Sequence, residues 1–412
     1  MKSWNVFILL VLITLISCQS QNEQSTPSFI HVNGTELIAP DGETFFIRGT
    51  NLGNWLNPEG YMFNFRNTNS ASRIDQALCE MVGPDFMDDF WKQFKDNYVT
   101  KADIEFLKLT GVNSLRVPFH YKLFTDEDYM GLTVNQNGFE LIDRLIGWCK
   151  EAEIYLILDM HDAPGGQTGD NIDDSYGYPW LFESEKSQQL FIDIWVKIAQ
   201  YYKDEPAILG YDLINEPIAP YFEDMEELNA KLEPLYKRTV SAIREVDKNH
   251  VILLGGAQWN SNFKMFGKEP FDDNIMYTCH RYGGEPTAEA IKEFIEFRDM
   301  TNRPMYMGEI GHNTNEWMSA FVKVMEENNI GWHFWPYKKL GGSSFVSIPT
   351  PVDWNLAVDF VETDRSSYKA IREARPVQKK AKKVMLEFIE NCKFENNSIN
   401  KDYIRALGLN PE

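Results

Sequence analysis

The sequence predicts an α/β protein whose single large domain is a (β/α)8 barrel of the TIM type, with a β-hairpin before the barrel and extra helices after it. Eight strand-like runs alternate with helical patterns between residues 45 and 334, and parallel strands need such a helical crossover between them. No Gly-rich phosphate-binding fingerprint follows the first strand, because "GTNLGN" (49–54) imitates one only weakly. This favours a closed barrel over a doubly wound sheet. The chain of 412 residues is long enough, since such barrels use ~250 residues or more.

The first 28 residues predict export. Lys2 precedes the apolar stretch Val6–Ile16, which is too short to span a membrane and is typical of a secretory signal. The "LISC" ending at Cys18 resembles a bacterial lipobox, in which the cysteine is lipidated and becomes the mature N-terminus. We therefore expect a lipoprotein-type signal over 1–18, a polar tether over 19–28, and an exported protein anchored to the outer or cell-surface membrane, facing the periplasm or the cell surface. The alternative is a simple signal with an incidental cysteine.

The elements follow in a regular order after the tether. Ile30–Arg48 predicts a hairpin with its turn at Asp41-Gly42. The predicted barrel strands are Phe45–Leu52, Val112–Phe119, Ile154–Met160, Ala207–Ile214, Val251–Leu254, Ile275–Cys279, Met305–Met307 and Gly331–Phe334. The predicted helices include Phe139–Ala152, Gln188–Tyr202, Met225–Val246, Thr287–Arg298 and Asn315–Asn328. In the first of these helices, apolar residues recur at the i, i+3, i+4, i+7 spacing of one buried face.

The barrel domain is expected over residues 29–375, followed by a helical extension over 376–412. Lys379–Lys383 opens a charged, solvated helix that ends near Cys392. The four cysteines after the predicted signal contain no CxxC pair, which argues against a zinc framework and a disulfide scaffold. Cys149 and Cys279 lie in apolar segments and are expected in the core.

The net charge of −21 excludes two classes of partner. Nucleic acid selects basic surfaces, so we expect no nucleic acid partner. A strongly acidic polymer is equally unsuitable as a substrate, whereas a neutral one is not opposed.

Polar and aromatic residues collect at the C-terminal ends of the predicted strands, where a barrel places its chemistry. They are Asn54 and Trp55 after strand 1, Arg116 and His120 at strand 2, Asp159, His161 and Asp162 at strand 3, Asn215 and Glu216 at strand 4, His280 and Tyr282 at strand 6, Glu309 at strand 7 and Trp335 at strand 8. Each residue alone has an ordinary structural explanation. Their joint occurrence on successive strands favours a functional one.

Two carboxylates at one barrel mouth suit acetal hydrolysis. One acid protonates a poor leaving group, and one carboxylate attacks or stabilises an oxocarbenium-like centre. Differences in burial and nearby charge would separate their pKa values. Trp335 would stack on the apolar face of a sugar ring.

At these residues the chain resembles glycoside hydrolase family 5, the cellulase family, over about residues 30–375. The resemblance rests on "LRVPFHY", "LDMHDAPGG", "DLINEP", "CHRY", "MGEIG" and "FWPYKK", in order and well spaced. It implies a (β/α)8 barrel that hydrolyses glycosides with retention, with Glu216 as acid/base and Glu309 as nucleophile. It also implies supporting roles for Arg116, His161, Asn215, His280, Tyr282 and Trp335. Arg116 and Tyr282 would hold and ionise Glu309, and Asn215 would bind the sugar 2-hydroxyl. Retention predicts carboxyl groups ~5–5.5 Å apart.

The substrate is predicted less sharply. "NLGNWL" and "HDAPGGQTG" look more like the exo-acting β-glucanase branch of the family. Two long loops, Asn57–Asp89 and Asp162–Glu185, carry aromatic residues that would either wall a pocket or only pack the loops on the barrel. We expect a neutral β-glucan or its oligosaccharides, with an endo-acting β-1,4-glucanase or a β-mannanase as the alternative.

Two rival classes remain outside glycoside hydrolysis. A non-catalytic sugar-binding lipoprotein would normally have lost one of the two carboxylates, yet both are present. A metal-dependent barrel hydrolase would carry His-x-His at the end of strand 1, which this chain lacks. We therefore expect an enzyme that uses neither a metal nor a cofactor.

Overall fold

The computed structural model describes residues 29–132, 137–170 and 172–412 and contains a closed barrel of eight parallel strands. The strands are β3 (Arg48–Asn51), β4 (Ser114–His120), β5 (Tyr155–Asp162), β6 (Ile208–Asp212), β7 (Val251–Gly255), β8 (Ile275–Arg281), β9 (Met305–Gly311) and β10 (Gly331–Trp335). They follow one another in sequence order around the barrel, and β10 closes it by pairing with β3. The predicted (β/α)8 fold is confirmed.

The helices occupy the crossovers and the end of the chain. They are α1 (Ala71–Val82), α2 (Pro84–Tyr98), α3 (Lys101–Thr110), α4 (Asn137–Ala152), α5 (Glu185–Tyr202), α6 (Met225–Arg244), α7 (Ala257–Asn260), α8 (Lys292–Thr301), α9 (Asn315–Glu327), α10 (Asn355–Val361), α11 (Tyr368–Ala374), α12 (Gln378–Cys392) and α13 (Lys401–Ala406). Short 3-10 helices cover Gly60–Phe63, Tyr121–Phe124, Trp180–Phe182, Ala288–Ile291 and Phe394–Asn396.

The strands and helices follow from their burial patterns. In β5, the last seven of eight residues are buried, as expected for a parallel strand covered on both faces. In α5, Phe191, Trp195 and Ile198 lie on one buried stripe, and the Ser184 hydroxyl caps the first turn by accepting from the Ser187 amide. The buried strands and the helices packed on them hold the strand ends in place.

The N-terminal hairpin is present, but its predicted turn is wrong. Strands β1 (His31–Asn33) and β2 (Glu36–Ile38) are joined at Gly34-Thr35. Gly34 has φ 60, which glycine adopts without steric cost. Asp41-Gly42 instead makes a second tight turn, which returns the chain from Ile38 to a bridge with Thr44. Two glycine turns lie close together in this segment, and the sequence pattern alone does not show which of them joins the two strands of the hairpin.

The predicted long loop Asn57–Asp89 is largely helical. It contains α1 and the first turns of α2, which pack against α12. Ile74, Leu78 and Met81 form the buried stripe of α1, at a spacing that the sequence carries. Of the loop aromatics, Phe63 and Phe65 are in the core, whereas Tyr176 in the second loop is 88% exposed. Most of the first loop therefore packs on the barrel.

The C-terminal extension completes the outside of the barrel. Besides the packing of α12 on α1 and α2, strand β13 (Ser398–Ile399) pairs with β12 (Val346–Ile348), which itself pairs with β11 (Lys338–Leu340). Cys149 and Cys279 are buried, as predicted. The predicted signal, tether and Cys18 lie outside the described residues. Within the described residues, no helix is long and apolar enough to cross a membrane.

Candidate active site

The carboxyl ends of the strands bring eight of the predicted residues together at one mouth. They are Arg116 in β4, His161 in β5, Asn215 and Glu216 shortly after β6, His280 in β8, Tyr282 directly after β8, Glu309 in β9 and Trp335 at the end of β10. Hydrogen bonds and ring contacts connect them into one site.

Glu309 is a buried carboxylate held by two donors. Its Oε1 accepts from Arg116 Nη1 at 2.6 Å, and its Oε2 accepts from the Tyr282 hydroxyl at 2.7 Å. Gly308 lets this strand pack closely, because a Cβ there would lie 2.3 Å from the Thr278 hydroxyl oxygen and 3.0 Å from His280 Nε2. Donors to both oxygens favour the ionised form of the carboxyl.

Glu216 lies in a different environment. Its Oε1 is 2.9 Å from His280 Nδ1, and its side chain is 14% exposed compared with 5% for Glu309. Burial raises the pKa of Glu216 to about 7, although the positive charges of His161 and Arg116 oppose the rise. The carboxyl therefore holds a proton in slightly acidic solution, as a general acid requires.

The two carboxyl groups are close together. One oxygen of Glu216 and one oxygen of Glu309 lie within 4.8 Å of each other, with a nitrogen of His280 inside the same group. Retaining glycosidases have carboxyl groups ~5–5.5 Å apart, whereas inverting enzymes leave ~6.5–9.5 Å for a water molecule. The geometry matches retention.

Arg116 has a fully buried guanidinium that contacts four residues of the site. Besides Glu309, it contacts Asp212 through Nε at 2.8 Å and Asp159 through Nη2 at 2.9 Å. Its Nη2 also donates to Asn215 Oδ1 at 2.9 Å. One guanidinium cannot neutralise three buried carboxylates, and burial accordingly raises the pKa of Asp212 to about 7.

An aromatic platform lies beside the carboxylates. The rings of His161 and Trp335 stack at 5.3 Å with an interplanar angle of 4°, and the Trp335 indole N–H donates to the Tyr61 hydroxyl. Gly53 makes room for the indole, because a Cβ there would lie 2.7 Å from it. Trp335 is only 3% exposed, so the stacked pair is a buried part of the site, and stacking of Trp335 on a sugar ring stays a prediction.

A further carboxylate, Glu59, closes this side of the site. Its Oε1 is 3.6 Å from His161 Nε2 and is buried without a hydrogen-bond partner. Burial lowers the pKa of His161, but the carboxylates of Asp159 and Glu59 raise it well above the usual value. His161 therefore lies between Asp159 and Glu59, next to the Trp335 ring, and its Nε2 is also 3.3 Å from Asn215 Nδ2.

A cleft of about 530 Å³ opens on the other side, next to Glu216. That volume is within the usual range of ligand sites. Its other lining residues are Gln258, Trp259, Ser261, His280, Arg281, Tyr282, Gly283 and Gly284. The Trp259 ring is 37% exposed and the Tyr282 ring 41% exposed, so both offer apolar surface to a bound molecule.

Comparison with known proteins gives the family. Residues 58–341 match the family model for cellulase, glycosyl hydrolase family 5. The chain belongs to glycosyl hydrolase family 5. A β-xylosidase of Phanerodontia chrysosporium is 30% identical over 362 residues, which cover 79% of this chain and 74% of that protein. Endoglucanase C of Acetivibrio thermocellus is 26% identical over 330 residues, covering 65% and 92%.

Solved structures agree on the fold of this family 5 protein. The crystal structure of an endogalactoceramidase superposes with a TM-score of 0.57 at 18% identity, covering 76% of this chain and 75% of that one. The family and its relatives together make this protein a glycoside hydrolase.

Two predicted site residues of the glycosidase lie apart from the carboxylate pair. His120 Nε2 is 3.0 Å from Asp174 Oδ2 and 3.6 Å from Asp162 Oδ2, and among the described residues neither His120 nor Asp162 has a recorded hydrogen bond or ion pair with Glu216 or Glu309. Asp174 also accepts from the Ser72 hydroxyl of α1 at 2.6 Å. This cluster ties the loop after β5 to α1, and the substrate-binding role of His120 and Asp162 stays a prediction.

Asn54 and Trp55 lie beneath the mouth, and their substrate-binding roles stay predictions. Trp55 is fully buried, and its indole N–H donates to the Lys95 carbonyl at 2.9 Å, so it is a core residue. Asn54 is buried with a left-handed backbone, and its Oδ1 accepts from the Glu59 amide at 2.9 Å. It shapes the segment that carries Glu59. The sequence position of a residue at a strand end does not show whether its side chain faces the mouth or packs in the core below it.

Several residues of the site were missed. Asp212 lies inside a predicted strand, where a buried carboxylate requires a cationic partner, so this signal was available. Glu59 follows a proline in a segment that was treated only as loop. Asn260, whose Nδ2 is 3.1 Å from His280 Nε2, gave no signal in the sequence.

Within the described part of the chain, two groups of side chains have atoms that could ligate a metal: Glu216 with His280 and Glu309, and His120 with Asp162 and Asp174. In the first group, both oxygens of Glu309 already accept from Arg116 and Tyr282. The guanidinium charge opposes a second cation at that position.

Proposed function

We propose that this protein is a retaining β-glycosidase that acts on a neutral β-glucan or its oligosaccharides, with Glu309 as nucleophile and Glu216 as acid/base. The observation that carries the proposal is the pair of closely spaced carboxyl groups in contrasting environments. The names of the relatives, a β-xylosidase and an endoglucanase, support a β-linked glycan as the substrate class.

The reaction is a double displacement. A Glu309 oxygen attacks the anomeric carbon while Glu216 gives its proton to the departing glycosidic oxygen, which yields a glycosyl ester and a free alcohol. Glu216 then takes a proton from water, and the water oxygen displaces Glu309 from the anomeric carbon. The sugar is released with its original configuration.

The environments of the two carboxyl groups support this assignment rather than its reverse. Arg116 and Tyr282 stabilise the anion of Glu309, which a nucleophile needs. Glu216 has a pKa raised to about 7, so it is protonated below that pH and loses its proton above it. We expect kcat/KM to decline as pH rises through about 7, because the first step needs the acid.

Two variants test the assignment. Glu309→Ala should abolish turnover of every glycoside, because no glycosyl ester can form. Glu216→Ala should lose ~10²–10⁴-fold on substrates with poor leaving groups. It should lose much less in the glycosylation step of a dinitrophenyl glycoside, and azide should then restore its second step and give a glycosyl azide of retained configuration. An inverted glycosyl azide from Glu216→Ala would exchange the two roles.

The two sides of the site support exo action on the end of a chain. The Trp335 platform is bounded by His161, Tyr61 and the buried Glu59. The Glu59 carboxylate, whose Oε1 lies 3.6 Å from His161 Nε2, would also accept hydrogen bonds from the hydroxyls of a terminal sugar. The cleft lined by Trp259 lies next to Glu216, where the leaving group departs. Such a closed side and an open side suit removal of one terminal unit.

The product profile separates exo action from the endo alternative. Digestion of a panel of β-glucans, mannan and xylan should release monosaccharide from the first minutes while the viscosity of the preferred polymer stays nearly constant. A rapid fall in viscosity, with mixed oligosaccharides appearing first, would indicate an open cleft and an endo-acting enzyme.

We also propose that Cys18 anchors the enzyme to a membrane, with residues 19–28 as its tether. The support is the sequence pattern of residues 1–18. Stable attachment needs two acyl chains or more, which lipidation of an N-terminal cysteine would supply.

A further inference from the structure

The short segment α7 (Ala257–Asn260), which follows β7, is a single turn without right-handed helical geometry. Gln258, Trp259 and Asn260 have φ values of 50, 58 and 57, so three consecutive residues with side chains are left-handed. Each such residue costs roughly 1–2 kcal/mol relative to a right-handed one. A run of this kind persists only where surrounding contacts hold it, and such strain often occurs next to a functional site.

The contacts that hold this turn come from other parts of the chain. The Gln258 amide donates to the Ile218 carbonyl at 3.0 Å, and Gln258 Nε2 donates to Asn229 Oδ1 at 2.8 Å. Asn262 Nδ2 donates to Gln258 Oε1 at 2.6 Å. The turn is therefore fixed to α6 and to the segment that follows Glu216.

The turn directs Asn260 into the active site. The side chain is fully buried, and its Nδ2 is 3.1 Å from His280 Nε2. Gly255 leaves room for the amide, because a Cβ at that position would lie 2.3 Å from Asn260 Oδ1. An imidazole nitrogen that accepts from an amide N–H carries no proton.

This contact decides where the proton of His280 lies. If Nε2 accepts, a neutral ring carries its proton on Nδ1. Nδ1 is 2.9 Å from Glu216 Oε1 and 3.6 Å from Glu309 Oε2, so the ring lies between the two carboxylates. Burial lowers the pKa of His280 to about 3, which keeps the ring neutral.

We propose that Asn260 is a positioning residue that confines the proton of His280 to Nδ1, so that the imidazole donates to Glu216 Oε1. The carboxyl proton of Glu216 is then carried by Oε2, because Oε1 accepts the hydrogen bond from His280. When Glu216 has given up its proton, the same N–H stabilises its anion for the second step. This inference rests on the proposed role of Glu216.

Other charged and titratable groups also act on this pair and have to be held constant in any test. They are Arg116 on β4, Asp159 and His161 on β5, Asp170 in the loop after β5, Tyr282 after β8 and Glu309 on β9. Asn260 is uncharged, so replacing it with another uncharged residue leaves their charges unchanged.

The first test reads the tautomer of His280 in the unmodified protein. The full chain is labelled with nitrogen-15, and the His280 ring signals are identified among the seven histidines as those lost in His280→Gln. We expect a proton on Nδ1 and none on Nε2. A proton on Nε2 would overturn the inference, whatever the role of Glu216.

The second test removes the amide but keeps the backbone. Glycine accepts a left-handed conformation without steric cost, so Asn260→Gly should retain the turn. We expect the Nε2-protonated ring to appear and the alkaline limit of kcat/KM to move to higher pH by about one unit, because the Glu216 anion loses a fixed donor. A merely structural residue would lower activity without moving this limit.

Asn262→Ala is the matched control. It removes one hydrogen bond to Gln258 but leaves the bonds of Gln258 to Ile218 and Asn229, and in the described part of the chain the Asn262 side chain is not hydrogen-bonded to His280. We expect the tautomer and the pH limit of this variant to be those of the parent. If Asn260→Gly also leaves both unchanged, Asn260 does not position the proton. Turnover by Glu216→Ala tests the acid separately, so the two hypotheses can fail independently.

Discussion

Replacing Arg116 should damage stability and catalysis together, in a way that depends on pH. Three of its contacts are to the carboxylates Asp159, Asp212 and Glu309 at 2.6–2.9 Å, and none of the four side chains is more than 5% exposed. Arg116→Met leaves these buried carboxylates without their counter-charge. Removing one partner of a buried ion pair costs about 3–5 kcal/mol in the free energy of unfolding.

The effect on activity follows from Glu309. The variant loses one of the two donors that hold and orient the Glu309 carboxylate for attack. A loss of about 3 kcal/mol of stabilisation corresponds to roughly 10²-fold in kcat/KM. Arg116→Lys should recover part of the stability, because it restores the charge. It should recover less of the activity, because an ammonium cannot reproduce the fork of bonds.

The pH dependence has a definite sign. Burial raises the pKa of Asp212 to about 7 although Arg116 opposes the rise. Without the guanidinium that pKa rises further, so the folded variant keeps a proton that the unfolded chain has released. Stability falls with rising pH when the folded state binds more protons, so the deficit relative to the parent should be larger at pH 8 than at pH 5. Urea unfolding at both values measures it.

Arg244→Met is the control for this prediction. Arg244 makes a two-pronged pair with Asp272 at 2.9 and 3.0 Å, away from the site and partly exposed. The Arg244→Met variant should lose less stability than Arg116→Met and should keep the catalytic activity of the parent. The reasoning is refuted if Arg116→Met unfolds with the parent's free energy, or if its deficit is the same at both pH values.

Two further outcomes are expected. Cys18→Ser should release the protein from membranes into the aqueous phase of a detergent partition, and an unchanged distribution would contradict the lipid anchor. Glu59→Gln should raise KM for oligosaccharides at least tenfold, because an amide oxygen is a weaker acceptor for sugar hydroxyls than a carboxylate, about 1.5 kcal/mol in a charge-assisted bond. An unaltered KM would place the terminal sugar elsewhere.

The barrel could be predicted from the sequence because its information is local. Most strands are short apolar runs, and seven of the eight predicted strands carry polar or aromatic residues at or after the end that the barrel directs to one mouth. Glu216 and Glu309 were found in this way. The segment Asn57–Asp89 was predicted as a loop but is largely helical. The helical spacing of Ile74, Leu78 and Met81 is visible in the sequence and predicts α1.

The structural residues at strand ends show a second limit. Trp55 and His120 occupy the same kind of position as Trp335 and His161, yet one pair is in the core or a side cluster and the other is at the platform. The two pairs differ in the partners that their side chains contact. Partners distant in sequence decide this, such as the Lys95 carbonyl for Trp55.

The turn at Gln258–Asn260 could not be predicted for the same reason, and this has a consequence for the chemistry. Nothing local favours three left-handed residues with side chains, so the turn exists because the distant residues Ile218 and Asn229 bind Gln258. Ile218 follows Glu216 by two residues and is itself left-handed. The segment that carries the acid and the turn that carries Asn260 therefore stabilise each other. A change in either should alter the hydrogen bond between His280 and Glu216 before it alters the barrel, because the strands hold Glu309 and Arg116 independently of this contact.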